Sequence, residues 1–168
     1  MVDIKTSLGT ITVELDADKA PKTVENFLAY VDKDYYSGLI FHRVIAGFMI
    51  QGGGFTRDFE KRETRPPIQN EADNGLKNLK GTIAMARTGE PHSATGQFYI
   101  SLEDNGPLDH RSKTRDGWGY AVFGTVTSGM DVVERIGGVR VGANGPFSQD
   151  CPLEPVVIES ITRRAEAQ

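Results

Sequence analysis

Cysteine is almost missing from this chain. Cys151 is the only one in 168 residues, so no internal disulfide can form. A free thiol in the polar, proline-flanked stretch "QDCPLEP" suits a reducing compartment. No window approaches the ~18 consecutive apolar residues of a membrane-spanning helix. The N-terminal "MVDIKTSLGTITVEL" lacks a basic start followed by an apolar core, so no signal peptide is expected and the cytoplasm is the default location. Positive charge is not in excess: 19 Lys and Arg stand against 23 Asp and Glu, a net charge of -4. Both signs are interspersed, as in "RDFEKRETR", which argues against a nucleic-acid or anionic-membrane partner. His42, His92 and His110 show no metal-ligand spacing and have no cysteine or carboxylate cluster to help them, so no metal or other cofactor is expected. No nucleophile elbow occurs, and the Glu14 and Asp16 carboxylates read as an exposed strand face. The glycine run in "IQGGGF" lacks the spacing and the following helix of a phosphate-binding loop. It reads instead as a strand end passing close to another backbone, where a Cβ would clash.

What is present is a globular composition, 38% hydrophobic and 25% charged, in one domain spanning residues 1–168. Ile11, Val13 and Leu15 alternate with Thr10, Thr12 and Glu14, and "VDIKTS" before them alternates too, so a hairpin turning at Leu8-Gly9 is expected. Val24, Phe27, Leu28 and Val31 mark one face of a helix from about Pro21 to Lys33. Strand-like runs follow at Phe41–Val44, Met49–Gly52, Thr82–Ala86, Gln97–Ser101, Ala121–Thr127 and Val156–Arg163, with a short helix at "MDVVERIG". Pro66-Pro67, Gly145-Pro146 and Pro152 mark loops. Many short strands with two helices and 19 glycines point to an all-β barrel or sandwich.

One stretch raises a chemical question. "FHRVIAGFMIQGGGF" is largely apolar yet carries His42 and Arg43. His42 reads as a hydrogen-bonded structural residue. Period two puts Met49 and Gln51 on one face of their strand, and pairing through the "IAGF" turn adds Arg43 to that face. The patch would hold a guanidinium, an amide and a flexible apolar side chain. Gln97 and Tyr99 in "GQFYIS" repeat the amide-plus-ring pairing.

That stretch, with "GTIAMART", "SATGQFYIS", "WGYAVFGTV", "APKTVENFLAYV" and "YYSGLIFHRV", resembles the cyclophilin-type peptidyl-prolyl isomerases. The resemblance runs from about Ile4 to Thr162, and "NEADNGLKNLKGTIAMARTGEPHSATGQF" is most similar to the bacterial cytoplasmic branch. It implies a mainly β fold, a closed eight-stranded antiparallel barrel capped by two α-helices. It also implies X-Pro isomerase activity that speeds proline-limited folding, without covalent intermediate or metal. By the same resemblance Arg43 is the main catalytic group. Phe48 and Met49 line a proline pocket, Gln51 helps hold the substrate backbone, and Ala86 and Arg87 pair with the substrate main chain. Gln97 and Tyr99 face the site, Leu108 is a pocket wall, and Tyr120 stands where many eukaryotic members have histidine.

Two departures matter. Tyr99 stands where phenylalanine is commonest, so its hydroxyl needs a partner or water. Pro107 aligns with an aromatic position and has no indole N–H, so cyclosporin binding is expected to be weak. The implied partners are proline-containing polypeptides, met by a monomer. A pure binding module for proline-containing segments and a small-molecule β-barrel binder are the competing readings.

Overall fold

Ile4 faces Ile11 and Val2 faces Val13 across the first two strands, and all four side chains are fully buried. Alternation therefore does what it should at the start of the chain. The computed structural model describes residues 1–164. In chain order these form β1 (Val2–Thr6), β2 (Gly9–Leu15), α1 (Pro21–Asp32), β3 (Arg43–Ile45), β4 (Met49–Gly52), β5 (Thr82–Met85), β6 (Phe98–Ser101), β7 (Val122–Ser128), α2 (Met130–Gly137), β8 (Val141–Asn144), β9 (Phe147–Pro152) and β10 (Ile158–Arg163). The turn between β1 and β2 falls at Ser7-Leu8, one residue earlier than the glycine suggests. The Thr6 hydroxyl holds it, accepting from the Leu8 amide and donating to the Gly9 carbonyl.

Eight strands make one antiparallel sheet in the order β10-β1-β2-β7-β5-β6-β4-β3. Here the expectation of a closed barrel needs correction. β10 and β3 are sheet edges, and no ladder joins them. The chain just before β3 spans the seam instead: the Phe41 amide donates to the Val156 carbonyl and the Ile158 amide to the Leu39 carbonyl. Leu39 bridges Thr56 while Ile40 bridges Val157, so each contact is one pair long and no strand propagates. The result is a half-barrel sheet with a stitched seam.

The expected loops at Gly145-Pro146 and Pro152 prove to be a further hairpin, β8 with β9, which forms a sheet of its own. Gly145 and Pro146 are its two-residue tip between the paired Asn144 and Phe147, with Gly145 at φ 54°. Most of its residues are exposed or half-buried and few are apolar, so it carries little apolar alternation to betray it.

α1 buries Val24, Phe27 and Val31 against the sheet. Its N-cap, Ala20, has no capping side chain. Glu71 does that work from a distance, accepting the Thr23 amide and hydroxyl, each at 2.7 Å. A carboxylate there answers both the unpaired amides and the helix dipole. α2 buries Val132, Val133 and Ile136.

The two faces of the sheet have different jobs. Val44, Ile50, Ile100 and Ile83 form one register row into the main core, beside Phe27, Phe98 and Phe123. The other face carries a separate apolar cluster of Met49, Ala84, Tyr99 and Val122.

The glycine run answers to sterics as expected. A Cβ on Gly52 would lie 2.7 Å from the Ile40 carbonyl oxygen and 3.0 Å from the Phe41 Cα, both immobile backbone. Gly52→Ala should therefore destabilise the fold by about 1–3 kcal/mol through overpacking. Urea unfolding followed by circular dichroism measures it, and a wild-type midpoint would refute the close approach.

Candidate active site

Register assembles the site. Arg43 faces Gln51, Gln51 faces Tyr99, Tyr99 faces Ala84, and Ala84 faces Val122, one row across five strands. Directly opposed residues share a sheet face. Arg43 thus joins Met49 and Gln51 on the side away from the main core. It is exposed, and among the described residues no salt bridge holds its guanidinium.

The walls come from loops. Phe48 enters from the turn between β3 and β4, its amide donating to the Ile45 carbonyl. Its own carbonyl accepts from the Leu102 amide and from Asn105 Nδ2. Leu108 sits in a 3₁₀ turn, Gly106–Leu108, and its carbonyl accepts the Tyr120 amide at 2.9 Å. Tyr120 meets the Tyr99 ring edge-on at 5.8 Å. The Arg87 guanidinium lies over the Tyr120 ring at 4.5 Å, with Nε donating to the Gly119 carbonyl and Nη1 to the Thr88 carbonyl. Stacked and doubly bonded, it is a fixed rim rather than a mobile cation.

Arg43, Phe48, Met49, Gln51, Ala86, Arg87, Tyr99, Leu108 and Tyr120 line one cavity of about 100 Å³. Gln97, the tenth residue singled out from the sequence, lies beside it. It lines an adjoining cavity of about 230 Å³ with Thr88, Ser93 and Thr95, and its Oε1 accepts Gln51 Nε2 at 3.0 Å. A Cβ on Gly54 would fall on the Gln97 side chain, so this glycine makes the room that the amide occupies. A larger cleft of about 570 Å³ is lined by Glu14, Asp16, Asp18, Lys77 and neighbours; neither a guanidinium nor an aromatic ring reaches it. Among the described residues no group of three His, Cys, Asp or Glu is placed to hold a metal ion.

The Tyr99 hydroxyl has found its partner. It donates to Asn78 Oδ1 at 2.6 Å, in a buried position. Burial pushes the Tyr99 phenol well above its ordinary range, so it stays a neutral donor. Asn78, Asn105 and Gly54 were not legible as site residues. They sit in polar or glycine-rich loops, where no periodicity points anywhere.

His42 departs from the sequence reading. Its Nδ1 is buried without a hydrogen-bond partner among the described residues. The ring lies between Phe55, at 4.8 Å, and Phe147 of β9, at 5.2 Å. Packing against aromatic rings, rather than a hydrogen bond, fixes it. Cys151 is likewise fully buried, and burial pushes its thiol pKa up, so it is no nucleophile at neutral pH.

Burial, then the neighbouring Arg43 charge, pushes the His42 imidazole down to about 4 from its ordinary 6.5. The unfolded chain therefore takes up this proton before the folded one does. The difference is worth on the order of 3 kcal/mol, fully present above pH 6.5 and lost as pH falls towards 4. His42→Phe should flatten the fall of stability across that window relative to wild type. Denaturant titrations at pH 7, 5.5 and 4 measure this, and parallel curves for the two proteins would contradict it.

A family model described as cyclophilin type peptidyl-prolyl cis-trans isomerase/CLD matches residues 1–163. A peptidyl-prolyl cis-trans isomerase of Streptomyces antibioticus is 61% identical over 159 residues, 95% of each chain. Peptidyl-prolyl cis-trans isomerase B of Escherichia coli K12 is 53% identical over 162 residues, 96% of this chain and 98% of that one. Among solved structures, a Cryptosporidium parvum cyclophilin type peptidyl-prolyl cis-trans isomerase, crystallised in the presence of the dipeptide Ala-Pro, superposes with a TM-score of 0.79 at 25% identity, covering 98% of this chain and 99% of that one. With its sheet, its two helices and nearly its whole length matched, the chain belongs to the cyclophilin-type peptidyl-prolyl cis-trans isomerase family.

Proposed function

We propose that the groove beside Arg43 is where this peptidyl-prolyl isomerase turns X-Pro bonds in peptides and in unfolded or partly folded proteins. One observation carries the reading: a guanidinium with no salt-bridge partner among the described residues shares a 100 Å³ cavity with an apolar niche.

The X-Pro bond is stiff because the nitrogen lone pair is delocalised into the carbonyl, with a barrier of ~18–20 kcal/mol. Uncatalysed exchange takes tens to hundreds of seconds. Turnover of order 10³ s⁻¹ requires removing about 7 kcal/mol from that barrier. No covalent bond is broken, so positioned donors and a shaped cavity suffice. At the twisted transition state the prolyl nitrogen regains its lone pair. A donor there stabilises the twisted form and not the planar one, which is the differential binding catalysis needs. Arg43 supplies that donor and also holds the prolyl carbonyl. Phe48, Met49, Tyr99 and Leu108 grip the imino ring while the preceding carbonyl swings. Gln51 donates to Gln97, which leaves its own carbonyl oxygen to accept a substrate amide. Beyond β5 the Ala86 amide is taken by the Gln97 carbonyl, and the open backbone at Ala86 and Arg87 pairs with the substrate main chain. Once a peptide covers the groove, exclusion of water strengthens the Arg43 field.

The same reading makes the chain a cytoplasmic monomer whose partners are proline-containing polypeptides. No described helix is long and apolar enough to cross a membrane. Its cyclosporin binding is weak, because Pro107 is exposed at the turn beside Leu108 and offers no ring N–H.

Arg43→Ala should lower kcat/KM by on the order of 100-fold with the fold retained, the loss expected of one charge-assisted donor. Arg43→Lys should recover only part of it, because the planar fork is absent. Exchange spectroscopy on an Ala-Pro peptide reads both variants. Wild-type exchange in a folded Arg43→Ala protein would remove Arg43 from this role; binding without turnover in wild type would make the chain a holder of proline segments instead.

A further inference from the structure

We propose that Asn78 is a positioning residue for this isomerase, because its one side-chain amide ties the floor of the proline niche to its outer wall. The inference rests on the reading of the Arg43 groove given above. It concerns a residue that never touches the cavity: Asn78 is 1% exposed and absent from the lining.

The niche has a construction problem. Its floor, Tyr99, stands on β6 and is held by the sheet. Its outer wall, Leu108 and Tyr120, lies outside the sheet, on a 3₁₀ turn and the chain just before β7. The wall residues bond to each other, and next to Tyr120 the Ala121 carbonyl accepts the Met85 amide of β5, but neither bond reaches the Tyr99 side chain or holds the Leu108 turn to the floor. Asn78 does. Its Oδ1 accepts the Tyr99 hydroxyl at 2.6 Å. Its Nδ2 donates to the Leu108 carbonyl at 3.2 Å, to Asp109 Oδ1 at 3.1 Å, and at its limit of 3.5 Å towards the Tyr120 carbonyl.

Asn78 is itself clamped. Its backbone amide donates to Asp109 Oδ1 at 2.6 Å, and its carbonyl accepts the Asn105 amide at 2.7 Å. Asn105 then donates from Nδ2 to the Phe48 carbonyl at 2.9 Å, which brings in the opposite side of the niche. Phe48, Tyr99, Leu108 and Tyr120 are thereby joined through two asparagines.

The chemistry of the position admits few side chains. It needs one acceptor for the phenol and donors for main-chain carbonyls and a carboxylate, in one plane. Aspartate would keep the acceptor, lose both donors and face Asp109 with like charge. Leucine would leave the phenol and the Asp109 contacts short of partners, at the cost of unsatisfied buried groups. The Tyr99 hydroxyl has a function on this view: it is the floor's end of the clip.

Positioning matters here because the ring must stay still while the carbonyl before it rotates. A displacement of about 1 Å at such a contact costs up to 10²-fold in rate. Loosening the wall should therefore lower kcat more than it raises KM.

The test measures kcat and KM separately on an Ala-Pro peptide for Asn78→Ala, Tyr99→Phe, the double variant, and Ile161→Ala as a stability control in β10, remote from the niche. Asn78→Ala is expected to lose about tenfold in kcat with KM changed less, and Tyr99→Phe to lose about threefold. The double variant should match Asn78→Ala alone, because the hydroxyl acts only through Asn78. Ile161→Ala should lower stability without that kcat loss. Wild-type kcat in folded Asn78→Ala, or losses that multiply in the double variant, overturns the proposal. If Asn78→Ala does not fold, Tyr99→Phe decides: a threefold fall in kcat supports the clip and wild-type kcat overturns it. Arg43→Ala in the same assay separates the two levels. Should it stay active, the groove reading fails; should it be inactive while the Asn78 and Tyr99 variants behave as wild type, only the clip fails.

Discussion

The register between β3 and β4 is the constraint on which the site depends. With Arg43 opposite Gln51 and Ile45 opposite Met49, one face of the hairpin presents a guanidinium, an amide and a thioether, while Val44 and Ile50 enter the core. A slip of one residue would exchange the two sets. It would bury a guanidinium without a partner and expose two aliphatic side chains, so the core enforces the register and the register delivers the chemistry. The same logic extends through Tyr99 and Ala84 to Val122, where the neighbouring strands add the niche floor.

Around that rigid floor the chain places walls that no ladder holds. Phe48, Leu108 and Tyr120 are fixed by single main-chain bonds and by side-chain amides donating to main-chain carbonyls, and Arg87 by two carbonyls and a ring. Such bonds contribute modestly when made and cost more when broken in a buried place. A pocket built this way resists widening without a large apolar investment. The glycines serve the same end from below: Gly52 lets β4 pass Ile40, and Gly54 clears space for Gln97.

The sequence disclosed the parts that repeat and hid the parts that do not. Alternation located β1, β2 and β4, helical spacing located α1, and a closing Gly137 marked α2; β4 and α2 kept their expected bounds, while α1 ends one residue early. Cavity residues such as Arg43, Met49 and Tyr99 were legible because they sit on strands or in dense motifs. The β8–β9 hairpin was not, since its mostly polar strands carry no apolar period and its turn residues read as loop. The stitched seam was invisible for a related reason: single bridges at Leu39 and Ile40 leave no pattern. His42 misled because imidazole is usually bonded, whereas here Phe55 and Phe147 enclose it. Asn78 left no trace, because its partners are distant in sequence and mostly main chain.

A cation and an apolar niche lining one cavity suit a reaction that moves one lone pair and breaks nothing. On the proposed function, the niche would hold the ring, the cation would meet the nitrogen as it pyramidalises, and the sheet would keep the two at fixed separation. The most direct measurement is a crystal structure of this protein with a bound Ala-Pro peptide. The account predicts the imino ring among Phe48, Met49, Tyr99 and Leu108, with the Arg43 guanidinium within hydrogen-bonding reach of the prolyl nitrogen or carbonyl. A ring seated elsewhere, such as in the cleft of Glu14, Asp16 and Asp18, or an Arg43 turned away from the bound proline, would contradict it.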